Sequence, residues 1–80
     1  MSTKKIFLER LRSRLFGRLQ ESEMKTWDIS DIWNFSQAVI NENKGKIDVY
    51  LENNPVTLKN INEAIDEIID KILFPAIKIE

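Results

Sequence analysis

The sequence predicts a small α+β domain in two layers, made of a basic amphipathic N-terminal helix, a β-hairpin, a second helix and a C-terminal strand. Three observations carry this expectation. Leucines recur at helical spacing between residues 3 and 24, and isoleucines do so between 58 and 73. Two short segments, 46–52 and 76–80, alternate apolar with polar residues as half-buried strands do. An all-helical bundle is the alternative, because Ile47, Tyr50 and Leu51 also fit helical spacing.

In the first helix Leu8, Leu11, Leu15 and Leu19 follow one another at steps of three and four, which lays them on one stripe, with Phe7 and Phe16 beside it. Gly17 weakens this helix by about 1 kcal/mol relative to alanine. Arg10, Arg14 and Arg18 form a row along one border of the stripe, and Arg12 and Lys5 lie along the other.

Residues 28–41 carry two conflicting signals. Asp28 suits a helix N-cap, Trp27 and Ile32 suit a hydrophobic staple, and Ile29, Ile32, Trp33, Ser36, Val39 and Ile40 share a helical face. Against that, Trp33, Phe35 and Val39 alternate, and the segment is rich in mediocre helix formers. A helical turn or two leading into a strand at 35–41 satisfies both. Residues 42–45 then read as the hairpin loop, with Gly45 in the left-handed position, and 46–52 as the returning strand with Ile47, Val49 and Leu51 inward.

The second helix is expected at 58–73. Thr57 serves as its N-cap, Val56 staples to Ile61, and Asn54-Pro55 stops the preceding segment. Leu58, Ile61, Ile65, Ile68, Ile69 and Ile72 make the buried stripe, and Glu63, Asp66, Glu67 and Asp70 the solvated face. Pro75 ends the helix, and 76–80 forms the last strand with Ile77 and Ile79 inward and Lys78 and Glu80 outward. A right-handed crossover would set that strand parallel to 46–52.

The chain has 80 residues, of which 42% are hydrophobic and 31% charged, so residues 1–80 are expected to fold as a single domain around one core. No apolar run approaches the roughly 18 residues of a membrane span, and no secretory leader pattern is visible, which suggests a cytoplasmic protein. Cysteine and histidine are both absent. Disulfides, thiolate zinc sites and the usual general base are therefore excluded, and no metal or cofactor is expected. The carboxylates Asp66 and Asp70, and the group Asp28, Ser30 and Asp31, are better explained as helix surface and as capping than as metal or proton-transfer sites. No glycine-rich phosphate loop or nucleophile motif occurs. The chain is expected to have no catalytic residues and not to be an enzyme.

Charge is unevenly laid. The net value is −1, yet residues 1–20 hold six bases (Lys4, Lys5, Arg10, Arg12, Arg14 and Arg18) against Glu9 alone, and all four arginines fall within nine residues. Four uses of the arginine row are open: internal pairing with Glu63, Glu67 or Asp70, contact with an acidic protein surface, contact with nucleic acid, or contact with an anionic membrane surface, the last disfavoured because the leucine stripe is needed for the core. Trp27 and Trp33 are candidate aromatic anchors for a partner. The reading that follows is a small non-enzymatic protein-binding or regulatory module of the accessory or inhibitor type, with the basic helix as its contact surface. Nucleic-acid binding through the same arginines is the rival. Exposed sheet edges in so small a domain also suggest a homo-oligomer.

Overall fold

A computed structural model of the chain describes residues 3–77, and every regular element among them is helical. Helix α1 spans Thr3–Gln20, and a 3-10 turn at Glu23–Thr26 leads to α2, Ile29–Glu42. Helix α3 is Lys44–Asn53. The chain then passes through a turn into α4, Ile61–Ile68, which continues as a π-helical turn at Ile69–Leu73 and ends in α5, Phe74–Ile77.

The directions of these helices follow from their side-chain contacts. Phe16 of α1 meets Trp33 of α2 edge to face, with ring centroids 5.3 Å apart, and Lys4 at the start of α1 reaches Asp48 of α3 at 3.2 Å. The chain that leaves the end of α1 thus descends past it through α2, antiparallel, and brings α3 to the start of α1. In α4 and the π turn the order is reversed. Arg14 pairs with Asp66 and Arg18 with Asp70, each 52 residues on, so the two helices advance together and run parallel. The result is an up-down-up bundle of 36 × 23 × 18 Å.

Its core is the one that helical periodicity sets. Phe7, Leu11, Leu15 and Leu19, each four residues from the last, are buried along α1. They meet Ile32, Val39 and Ile40 of α2, Ile47 of α3, and Ile61, Ile65, Ile68, Ile69 and Leu73 of the final helical run. Ser36, the one wholly buried hydroxyl among the described residues, donates through Oγ to Trp33 O at 2.7 Å, so no burial penalty is left unanswered there.

The β-hairpin does not form. Residues 35–41 complete α2, and 46–52 lie in α3. Between them Asn43 makes a bend in place of a hairpin loop. Its N–H is shared between Val39 O and Ile40 O at 3.2 Å each, its side-chain Nδ2 donates to Val39 O at 2.8 Å, and its own carbonyl accepts from Ile47 N–H at 3.0 Å. Gly45, expected in the left-handed region, lies in the first turn of α3. Val49 shows why the strand reading fails. A strand would turn it inward with Ile47 and Leu51, but in the helix Ile47 and Leu51 face the core and Val49 is 56% exposed.

Three further expectations are corrected. The second helix begins later than residue 58. Asn60 carries the first helical carbonyl, taken by Ala64 N–H at 3.0 Å, and Leu58 is 64% exposed. Thr57 is not its cap. Asn60 Oδ1 accepts from Thr57 N–H at 2.7 Å and Asn60 Nδ2 donates to Pro55 O at 3.2 Å, which braces the turn from 55 to 60. Pro75 does not stop the helix either. Lacking an N–H, and with its ring set against the carbonyl four residues back, proline cannot continue an α-helix in register. Here the preceding turn widens instead, and Phe74 N–H bonds to Ile69 O, five residues back. The expected C-terminal strand is therefore absent at Ala76 and Ile77, which are helical, while 78–80 lie outside the described residues.

Candidate functional site

The row Arg10, Arg14 and Arg18 stands where its spacing puts it, along the border of α1, but that border faces α4. Arg14 lies side-on to Asp66, with Nε donating to Oδ1 at 2.6 Å and Nη2 to Oδ2 at 3.1 Å. One turn on, Arg18 Nη2 donates to Asp70 Oδ1 at 2.8 Å, and its guanidinium carbon lies 4.9 Å from the centre of the Phe74 ring. Arg18 is thus held on one side by a carboxylate and on another by an aromatic face. Of the three acids expected as internal partners only Asp70 binds an arginine. The other partner is Asp66, which the sequence assigns to the solvated face.

Glu67 serves α3 and its own helix instead. It accepts from Lys71 Nζ at 3.4 Å, and its carboxylate lies near the hydroxyl of Tyr50. Partial burial, with the Glu67 carboxylate beside it, pushes the Tyr50 hydroxyl above its usual value of 10.

The remaining bases are dispersed. Lys4 is bound to Asp48, Lys5 is exposed on the outer side of α1, and Arg10 and Arg12 have no hydrogen bond or ion pair among the described residues. Arg10 borders an open groove of about 590 Å3 between α1 and α4, lined also by Glu9, Ser13, Arg14, Asn62 and Ile65. The lining mixes both signs, and Arg14 is already committed there to Asp66. Among the described residues no three carboxylates come together in a group that could hold a metal ion, and no helix is long and apolar enough to cross a membrane.

The two tryptophans have different situations. Trp33 is half-buried against Phe16 and packs α2 onto α1. Trp27 precedes α2, is 46% exposed, and leans edge-on over Phe35 with centroids 5.8 Å apart. Two residues further, Ile29 in the first turn of α2 is 65% exposed, because the stripe it would share with Ile32 and Ser36 extends past the end of the packed interface. Sequence reading sets Ile29 on the helical face it shares with Ile32 and Ser36, and Phe35 in a strand, so it does not assemble this corner. The signal that finds it is the helical alternative for 28–41, which sets Phe35 two turns after Asp28 on the same face.

Comparison of the chain with protein-family models, with curated proteins and with solved structures finds no match in any of the three.

Proposed function

We propose that the protein acts by contact with another protein, as a small non-enzymatic regulatory module, and that Trp27 anchors the contact. The observation that carries this reading is the Trp27–Ile29 corner. Four large apolar side chains are exposed among the described residues, and two of them, Trp27 and Ile29, stand together at one end of α2, whereas Val49 and Leu58 lie apart on α3 and in the turn before α4. A rigid aromatic side chain with two torsions, already held against Phe35, loses little entropy when a partner covers it.

Nucleic-acid binding through α1 is the reading of a different class, and it has less support. The internal pairs of Arg14 and Arg18 reduce the charge that the row can offer a phosphate backbone. Self-association was expected from sheet edges, and among the described residues there is no strand to provide one.

Site-specific photo-crosslinking tests the reading. Benzoylphenylalanine in place of Ile29 should give a discrete protein adduct in the cells that make this chain, and the same probe in place of Ser13, on α1, should not. Adducts at position 13 alone, or adducts to nucleic acid, would show that the contact lies elsewhere.

A further inference from the structure

The face of α2 that runs away from Trp27 has a definite chemistry. Asp28, Asp31, Phe35, Ala38 and Glu42 follow one another at steps of three and four, so they form one stripe along the helix and its cap. Phe35 is half-buried beneath Trp27, and the other four are exposed. The stripe therefore consists of an aromatic platform and an alanine with carboxylates at both ends. Asp28 caps the helix with its backbone position only, its side chain making no cap hydrogen bond. None of Asp28, Asp31 and Glu42 makes an ion pair among the described residues. Helix α2 has no basic residue, and over residues 21–42 five acids stand against Lys25 alone. This contrasts with the border between α1 and the final helical run, where Arg14 pairs with Asp66 and Arg18 with Asp70.

We infer that this stripe is a docking face for a basic amphipathic segment of another protein, one that sets an apolar side chain against Trp27 and Phe35 and lysines or arginines against Asp31 and Glu42. This inference rests on the reading of Trp27 as the anchor and adds the chemistry of the partner. Asp31 and Glu42 are eleven residues apart, about 16 Å along the helix axis, so matching bases on a helical partner would be separated by about three turns. Charge complementarity selects the occupant. A second copy laid symmetrically across this face would oppose its own carboxylates, which is unfavourable.

The test uses the full chain and two synthetic peptides of about 18 residues, long enough for about 27 Å of helix, patterned for one apolar face. One is built of leucine and lysine and the other of leucine and glutamate, and binding is read by fluorescence anisotropy. The leucine–lysine peptide should bind and the leucine–glutamate peptide should not. Trp27→Ala should weaken binding about tenfold, and Asp31→Asn with Glu42→Gln roughly threefold to tenfold at low salt. Glu52→Gln with Glu63→Gln removes the same charge elsewhere and should leave binding unchanged. Circular dichroism establishes that each variant is folded. Equal binding of both peptides, equal loss in the control pair, or a dimer that Trp27→Ala dissolves would overturn the inference. An adduct from position 29 to a partner segment without basic residues would overturn it too, yet leave the proposed contact at Trp27 standing.

Discussion

Arg14 meets Asp66 through two parallel hydrogen bonds, Nε to Oδ1 and Nη2 to Oδ2, and this fork joins the middle of α1 to the middle of α4. The arrangement fixes both separation and rotation, because a guanidinium edge matches a carboxylate in one plane only. The Arg18–Asp70 pair repeats the link one turn later, so the parallel register of the two helices is specified twice.

Removing the fork should have a small but measurable cost. Both side chains are partly solvated, so Arg14→Gln is expected to lower unfolding stability by about 0.5–1 kcal/mol, and Lys71→Gln, at a more exposed pair within one helix, by less. A double-mutant cycle with Asp66→Asn, followed by urea denaturation, gives the coupling directly. Additive effects would mean the fork contributes nothing.

The interior should be far less tolerant. Leu15 and Ile65 are wholly buried at the centre of the bundle, and each changed to alanine should cost about 2–5 kcal/mol. A chain of this size has a total stability of only about 5–15 kcal/mol. Loss of the cooperative thermal transition in the double variant Leu15→Ala with Ile65→Ala is the expected result, and a sharp transition near that of the parent would contradict the packing described.

Gly17 offers the opposite sign. It is inside α1, and a β-carbon there would meet nothing within 4 Å. Gly17→Ala should therefore stabilise the protein by about 1 kcal/mol, or about 4–8 °C in Tm. An unchanged or lower Tm would point to a role for that bare patch of helix.

Tyr50 is the only tyrosine, which makes its ionisation easy to follow by absorbance near 295 nm. The folded state holds its proton more tightly than the unfolded chain does. Its contribution to stability is therefore complete below pH about 10 and is lost as pH rises through the higher folded value. Glu67→Gln should lower the midpoint toward the unfolded value and shrink this alkaline loss, while leaving the part due to burial. A midpoint that does not move would separate Tyr50 from Glu67.

Helix α1 and the helical run that begins with α4 were legible in the sequence because their apolar spacing extends over several turns, long enough to exclude a period of two. Leu11, Leu15 and Leu19, and Ile61, Ile65 and Ile68, are where periodicity puts them, but Phe7 and not Leu8 takes the first core position of α1. Segments of six or seven residues carry no such discrimination. Ile47, Val49 and Leu51 satisfy a strand, Ile47 and Leu51 satisfy a helix, and it was packing on α1, through the Lys4–Asp48 pair at one end and Ile47 in the core, that favoured the helix. Pro75 is read by its local rule as a helix stop, yet it lies inside the α-helical turn Phe74–Ile77. What the rule omits is that one π turn lets the chain remain helical. Charge pairing was half legible. The arginine row pointed to an acidic helix, but which acids it reached depended on whether the helices ran parallel, which no local pattern states.

The claim most open to direct contradiction is that Arg14 and Arg18 hold α1 to α4 and do not serve a polyanion. Titration of labelled random duplex DNA and single-stranded RNA with the protein, from about 50 to 200 mM salt, measures this. No saturable complex at the low end is the result the internal pairs predict. A complex weakened roughly 150-fold across that range, as release of counterions from about four phosphates requires, and abolished by Arg14→Gln with Arg18→Gln, would contradict it.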